Sequence, residues 1–208
     1  MKLIFPKKLE LDSYIALSGG ADSMSLLYSM IRMGKAPKIA HFIHDDPYAR
    51  IELAFVMSVA KEYNLELELG YQQNDIKPGD SKEKVWRDER YKFFHSLNKK
   101  VYVGTNLDDA IEWYLMTCLR GEGHYMDYSN RNVEKPLLLT SKKQIYDYLR
   151  IHVLDWIEDP SNLSGGLRSK IRHELLPIAT RVDPGLPGMV RKRLVQKILQ
   201  SGRAEHIL

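Results

Sequence analysis

Ser18-Gly19-Gly20-Ala21-Asp22-Ser23 follows an apolar run, Tyr14-Ile15-Ala16-Leu17, and precedes a segment whose Leu26, Leu27, Met30 and Ile31 share one helical face. Strand, glycine-rich turn and helix in that order form a phosphate loop. Glycines let the backbone turn sharply and approach phosphate oxygens with no Cβ in the way. Successive amides then point inward, and the helix dipole adds positive charge beneath the anion. Ser18 and Ser23 supply hydroxyl donors, and Asp22 is placed to hold a magnesium ion against a polyphosphate. The Gly-Lys-Ser/Thr ending of the commoner phosphate loop is missing. A plain turn with an Asp/Ser helix cap is the competing reading of the same six residues.

The pattern around the loop predicts the fold. Lys38 to Ile43 reads as a strand, Tyr48 to Tyr63 as a helix, and Leu65 to Leu69 as a third, more exposed strand. Ser81 caps a helix to about Leu97, Val101 to Gly104 is a fourth strand, and Asp108 to Leu119 is helical. The expectation is an α/β fold, a doubly wound parallel sheet of about five strands with a small helical C-terminal extension. Residues 1–140 would form the α/β domain and 141–208 a basic helical extension packed on it. Arg120 to Lys135 reads as a mobile loop, Ser141 caps a helix to about Arg150, and Pro177, Pro184 and Pro187 divide the remainder into short helices. Ligands in such sheets gather beyond the carboxyl ends of the strands, after Leu17, Ile43 and Gly104 here.

Charge and cysteine content narrow the function. No run approaches the roughly 20 apolar residues of a membrane span. Lys7, Lys8, Glu10 and Asp12 interrupt the N-terminus before a signal-peptide core develops, so a cytoplasmic location is expected. Cys118 is the one cysteine, which excludes an intrachain disulfide or a multi-thiolate metal site; it reads as a small buried residue on a helix. From Gly166 onward nine Lys or Arg face three acids, whereas the rest of the chain is slightly acidic. A tail carrying Arg168, Lys170, Arg172, Arg191, Lys192 and Arg193 fits a polyanionic partner, nucleic acid first, or else a solvated helix face.

Four pairs are candidates for chemistry. Asp109 and Glu112 share a face near a helix N-terminus, where paired carboxylates suit an ammonium group or magnesium, or serve as a cap. Arg87 and Arg90 could hold a carboxylate or phosphate, or pair with Glu83 within their helix. His41 and His44 end the second strand and border an adenine pocket, or fill structural roles. Arg168 and Arg172 suit phosphates.

The hexapeptide resembles the Ser-Gly-Gly-x-Asp-Ser signature of the PP-loop ATP pyrophosphatase superfamily. Its members cleave ATP between the α- and β-phosphates, adenylate an oxygen, and displace AMP with nitrogen or sulfur. His41-Phe42-Ile43-His44, the Glu83-to-Phe94 segment with Arg87-x-x-Arg90-Tyr91, and Gly104 to Glu112 resemble the tRNA(Ile)-lysidine synthetase branch. So do Arg120-Gly121, Pro136-Leu137-Leu138, and Trp156 to Asn162 followed by Arg168 and Ile171-Arg172. The likeness spans roughly residues 12–180 and is similar to a short form holding only the N-terminal domain of bacterial relatives. It implies ATP and magnesium as cofactors, an anticodon cytidine of tRNA adenylated at C2, and lysine or another amine as nucleophile. Asp22, Asp109 and Glu112 would be catalytic, and Ser18, Gly19, Gly20, Ser23, His41, His44 and Gly104 would bind ATP. Asp108 would join Arg87, Arg90, Asp109 and Glu112 around the amine. Arg120 would join Arg168, Lys170, Arg172, Arg191, Lys192 and Arg193 on tRNA, and relatives imply a homodimer. The sequence departs at Thr105-Asn106, where the family has two histidines, at Trp113, where it has Thr, at Asp45-Asp46-Pro47, and at Ser169, where it has Asn. These changes surround the amine and cytidine pockets. A tRNA thiolase, another PP-loop amidoligase, and a tRNA- or nucleotide-binding protein without turnover are the alternatives.

Overall fold

Alternating apolar strands and one-sided helices wind this chain into a sheet covered on both faces. The computed structural model describes residues 3, 5–74, 76, 79, 81–158 and 167–202. In order come β1 (Ser13–Ala16), α1 (Ala21–Arg32), β2 (Lys38–Ile43), α2 (Ala49–Glu62), β3 (Leu67–Tyr71), α3 (Lys82–Ser96), β4 (Lys100–Tyr102) and α4 (Leu107–Cys118). Then follow β5 (Ser129–Asn130), β6 (Val133–Glu134), α5 (Lys142–Ile151), α6 (Leu167–Lys170), a π-helical turn (Ile171–Leu175), α7 (Leu176–Val182) and α8 (Leu186–Gln200).

The sheet has six strands in the order β3-β2-β1-β4-β6-β5. All neighbours run parallel except β5 against β6. The chain steps one way from β1 through β2 to β3 and the other way from β4 to β6, so the order reverses between β1 and β4. A crevice opens at such a reversal, at the carboxyl ends of the strands.

Strand alternation assigns the two faces. Ile15, Ile39 and Tyr102 pack under α1, α2 and α5 with Met24, Leu27, Val56, Ile145 and Leu149. Tyr14, Ala40 and Val101 turn the other way, with Phe94 of α3 and Val133. A third cluster joins Ile111 of α4 to Leu186, Val190, Leu194 and Ile198, which recur every four residues along α8.

Several expectations need correction. The segment read as a mobile loop contains β5 and β6, turning at Arg131 with φ 53°. Two-residue strands are too short to leave a periodic signature. The exposed third strand lies at the sheet edge, two residues later than its alternating leucines indicate. Pro187 starts α8, where an amide in the first turn has no intrahelical partner to lose, and Pro177 follows the π turn directly without dividing its helical run. Cys118 closes α4 and is exposed, not buried. Of the Trp156-to-Asn162 string, the last four residues lie outside the described residues.

Candidate active site

The turn between β1 and α1 is the candidate anion site. Gly20 is the N-cap of α1 and offers no side-chain acceptor, so the first-turn amides carry no internal cap. Ser18 and Ser23 shape the turn from within: Oγ of Ser23 accepts from the Ser18 N–H at 3.3 Å and donates to Gly20 O at 3.1 Å. Gly19 sits at φ 81°, and a Cβ there would come within 2.9 Å of Phe55 and Ile157. The Ile157 N–H donates to Gly19 O at 2.9 Å, so the Trp156–Glu158 stretch braces the loop from outside. Gly104, just beyond β4, faces the same turn. A Cβ at Gly104 would lie 2.8 Å from Ser23 N and 2.9 Å from the Asp22 carbonyl carbon, filling the space over the amides.

Asp22 is held by a residue that the sequence did not single out. Lys142 Nζ lies 2.8 Å from both carboxylate oxygens. Burial raises the Asp22 pKa, Lys142 opposes that, and the nearby Asp109 charge adds to the rise. Lys142 opens α5 behind a capping box of Ser141 and Gln144, and its N–H donates to Asp108 Oδ2 at 2.7 Å. Asp108, expected at the amine, is thus turned toward α5. A visible signal was a lysine in the first turn of a helix, where the dipole disfavours a cation.

Asp109 and Glu112 face the same crevice. Asn106, an unexpected contributor, forms a reciprocal cap with Asp109: each accepts the other's N–H at 3.1 Å. The remaining Asp109 oxygen accepts from Arg168 Nη2 at 2.8 Å and Arg172 Nη2 at 3.1 Å. Glu112, only 3% exposed, receives Nε of both arginines. Arg168 and Arg172, expected on tRNA phosphates, here tie α4 to the helical segment containing the π turn.

The expected adenine and carboxylate groups lie around the end of β2. His41 is buried, its Nδ1 2.8 Å from Leu17 O, and burial lowers its pKa. His44 stacks on Trp86 at 4.6 Å and is pushed down to about 4 by burial, with the Arg90 charge adding to this. His41 Nε2, His44 Nδ1 and Trp86 Nε1 are buried without a partner among the described residues. Arg87 lies 5.7 Å from the ring centres of both Tyr91 and Trp113. Arg90 is half-buried, and burial lowers its pKa. Arg191, Lys192 and Arg193 project outward from α8, opposite its buried stripe; Arg120 and Lys170 are also exposed.

Among the described residues no three His, Cys, Asp or Glu side chains are grouped to hold a metal by themselves. Nor is any helix long and apolar enough to cross a membrane. A glycine-kept amide cradle at the switch point of a parallel sheet, flanked by carboxylates, defines the phosphate-binding class of α/β proteins. Comparison with known families makes this specific: a model described as a PP-loop domain matches residues 2–179, and the chain belongs to that family.

Curated relatives include a tRNA(Ile)-lysidine synthase of Nitrosomonas europaea, 28% identical over 93% of this chain and 45% of the relative. The protein of that name from Pseudomonas fluorescens is 31% identical over 79% of this chain and 41% of its own length. The chain therefore spans less than half of either relative. Among solved structures, a U34-tRNA thiolase from Methanococcus maripaludis superposes with TM-score 0.72 over 91% of this chain and 74% of its own, at 16% identity. A glutamine-dependent NAD+ synthetase from Acinetobacter baumannii reaches 0.52 over 98% of this chain and 42% of its own, at 15% identity. These two likenesses concern the fold.

Proposed function

We propose that this chain is an ATP-dependent tRNA-modifying ligase of the lysidine-forming type. One observation carries the reading: the amide cradle that Gly104 keeps open lies beside a carboxylate pair, so an activated phosphate and an amine can meet in one crevice. The polyphosphate would rest on the amides of α1, with Ser18 and Ser23 as further donors. O2 of an anticodon cytidine would attack the α-phosphorus and release pyrophosphate, the amides stabilising the departing charge. The amine nitrogen would then bond to C2 as AMP leaves, its proton passing to the carboxylates that hold it.

Magnesium, bound with the nucleotide, would neutralise phosphate charge. Asp22, with Asp109 beside it, fits an ion that takes one or two carboxylates and completes its shell with phosphate and water. That the Asp109–Glu112 pair accepts cations is supported by the two guanidiniums already lying on it. Lysine would replace one of them as Arg168 or Arg172 turned to tRNA phosphates, alongside Arg120, Lys170, Arg191, Lys192 and Arg193. A thiolase reading is disfavoured, because Cys118 stands alone and at the far end of α4 from the cradle.

The test measures AMP and pyrophosphate release with purified tRNAs, with and without each amino acid. Release that requires both a CAU-anticodon tRNA and lysine is expected. Release with tRNA and a different amine keeps the chemistry and changes the substrate; tight tRNA binding with no release identifies a binding protein. In Asp109→Asn the cap to Asn106 can persist while the charge is lost, so amine use should fall more than adenylation. Equal loss of both steps removes Asp109 from the amine site.

A further inference from the structure

The phosphate loop has no lysine of its own, but α5 supplies one in space. Lys142 Nζ is pinned by both oxygens of Asp22 at 2.8 Å, at the mouth of the amide cradle. An ammonium has three N–H donors, and two are spent on that carboxylate. Among the described residues the third has no hydrogen-bond acceptor; the Tyr146 ring flanks the group with its centre 5.2 Å away. The backbone beneath is fixed twice, by the Ser141–Gln144 capping box and by Asp108 accepting the Lys142 N–H at 2.7 Å. Its neighbour Lys143 is a contrast, 83% exposed and paired one turn along with Asp147. A cation at the positive end of a helix works against the dipole, and the Asp22 carboxylate holds it there.

We infer that Lys142 is a phosphate-contacting residue: it directs its free N–H at the polyphosphate of ATP lying on the N-terminus of α1. Asp22 then aims the ammonium as well as balancing its charge, and α5 replaces the lysine that commoner phosphate loops carry within their own sequence. The inference rests on the ATP-binding reading above.

Titration of ATP and of adenosine in buffer containing EDTA isolates the contact from any metal. Lys142→Met should weaken ATP at least about tenfold, the scale of one charge-assisted hydrogen bond, and leave adenosine unchanged. Lys142→Arg should restore most of the ATP affinity, and Lys143→Met should match wild type. ATP affinity in Lys142→Met equal to or tighter than wild type overturns the assignment. So does a parallel loss of adenosine affinity, which marks a structural role. Wild-type protein that binds ATP neither in EDTA nor with added magnesium overturns the functional reading and this assignment together, whereas tight wild-type binding with an indifferent Lys142→Met overturns the assignment alone.

Discussion

Gly104 and Ser23 are neighbours in space only, and the gap between them is one missing methyl group. Adding it would place carbon 2.8 Å from an amide nitrogen belonging to backbone, which cannot swing aside as a flexible side chain can. Gly104→Ala should therefore lower ATP affinity by at least about tenfold, or about 1.4 kcal/mol, with a stability cost of about 1–3 kcal/mol from overpacking. Isothermal titration together with urea unfolding separates the two effects. Wild-type affinity in this variant would mean that the nucleotide lies elsewhere. The loop itself was legible from six consecutive residues, because the glycine pair stands with Ser18 and Asp22-Ser23 between a strand and a helix; a glycine pair alone would read as a plain turn. Lys142 was only half legible: a lysine in a helical first turn is an odd choice that can be read locally, but its partner Asp22 is remote in the chain.

Between elements, the binding force is an ion network. α4 presents Asp109 and Glu112, and the π turn with its flanking helix presents Arg168 and Arg172. Glu112 is 3% exposed, so removing Arg172 leaves one oxygen of a buried carboxylate unpaired, with Arg168 still on the other. Arg172→Ala should cost about 2–4 kcal/mol in chemical denaturation, and adding Glu112→Gln should recover a substantial part, because an amide is cheaper to bury than a carboxylate. A coupling energy below about 0.5 kcal/mol in the double-mutant cycle would show that the network holds nothing together. The spacing of each pair was readable, and so was each one's place on a single helical face. Their pairing with one another was not: two acids and two arginines on separate helices carry no mark of mutual contact. Short β5 and β6 escaped for a different reason, having too few residues for alternation to register.

For the whole molecule, the charge asymmetry persists in three dimensions. α8 buries Leu186, Val190, Leu194 and Ile198 and turns Arg191, Lys192 and Arg193 to solvent. Reversing those three to Glu should weaken tRNA binding and flatten its dependence on salt. The log–log slope should drop by roughly 0.7–0.9 for each phosphate that the protein ceases to neutralise. ATP affinity should not change, and filter binding over a salt series is the measurement. An unaltered slope would return α8 to the status of a solvated face.

The sequence by itself determined the strand–loop–helix unit, the parallel winding and the two carboxylates of α4, because each depends on residues close together in the chain. Only the tertiary structure decided which cation faces which anion. Lys142 on Asp22, the arginines on Asp109 and Glu112, and Gly104 over the amides all follow from the reversal of strand order between β1 and β4. That reversal brings the ends of distant segments into one crevice, and charge pairing at such range leaves no local trace in the sequence.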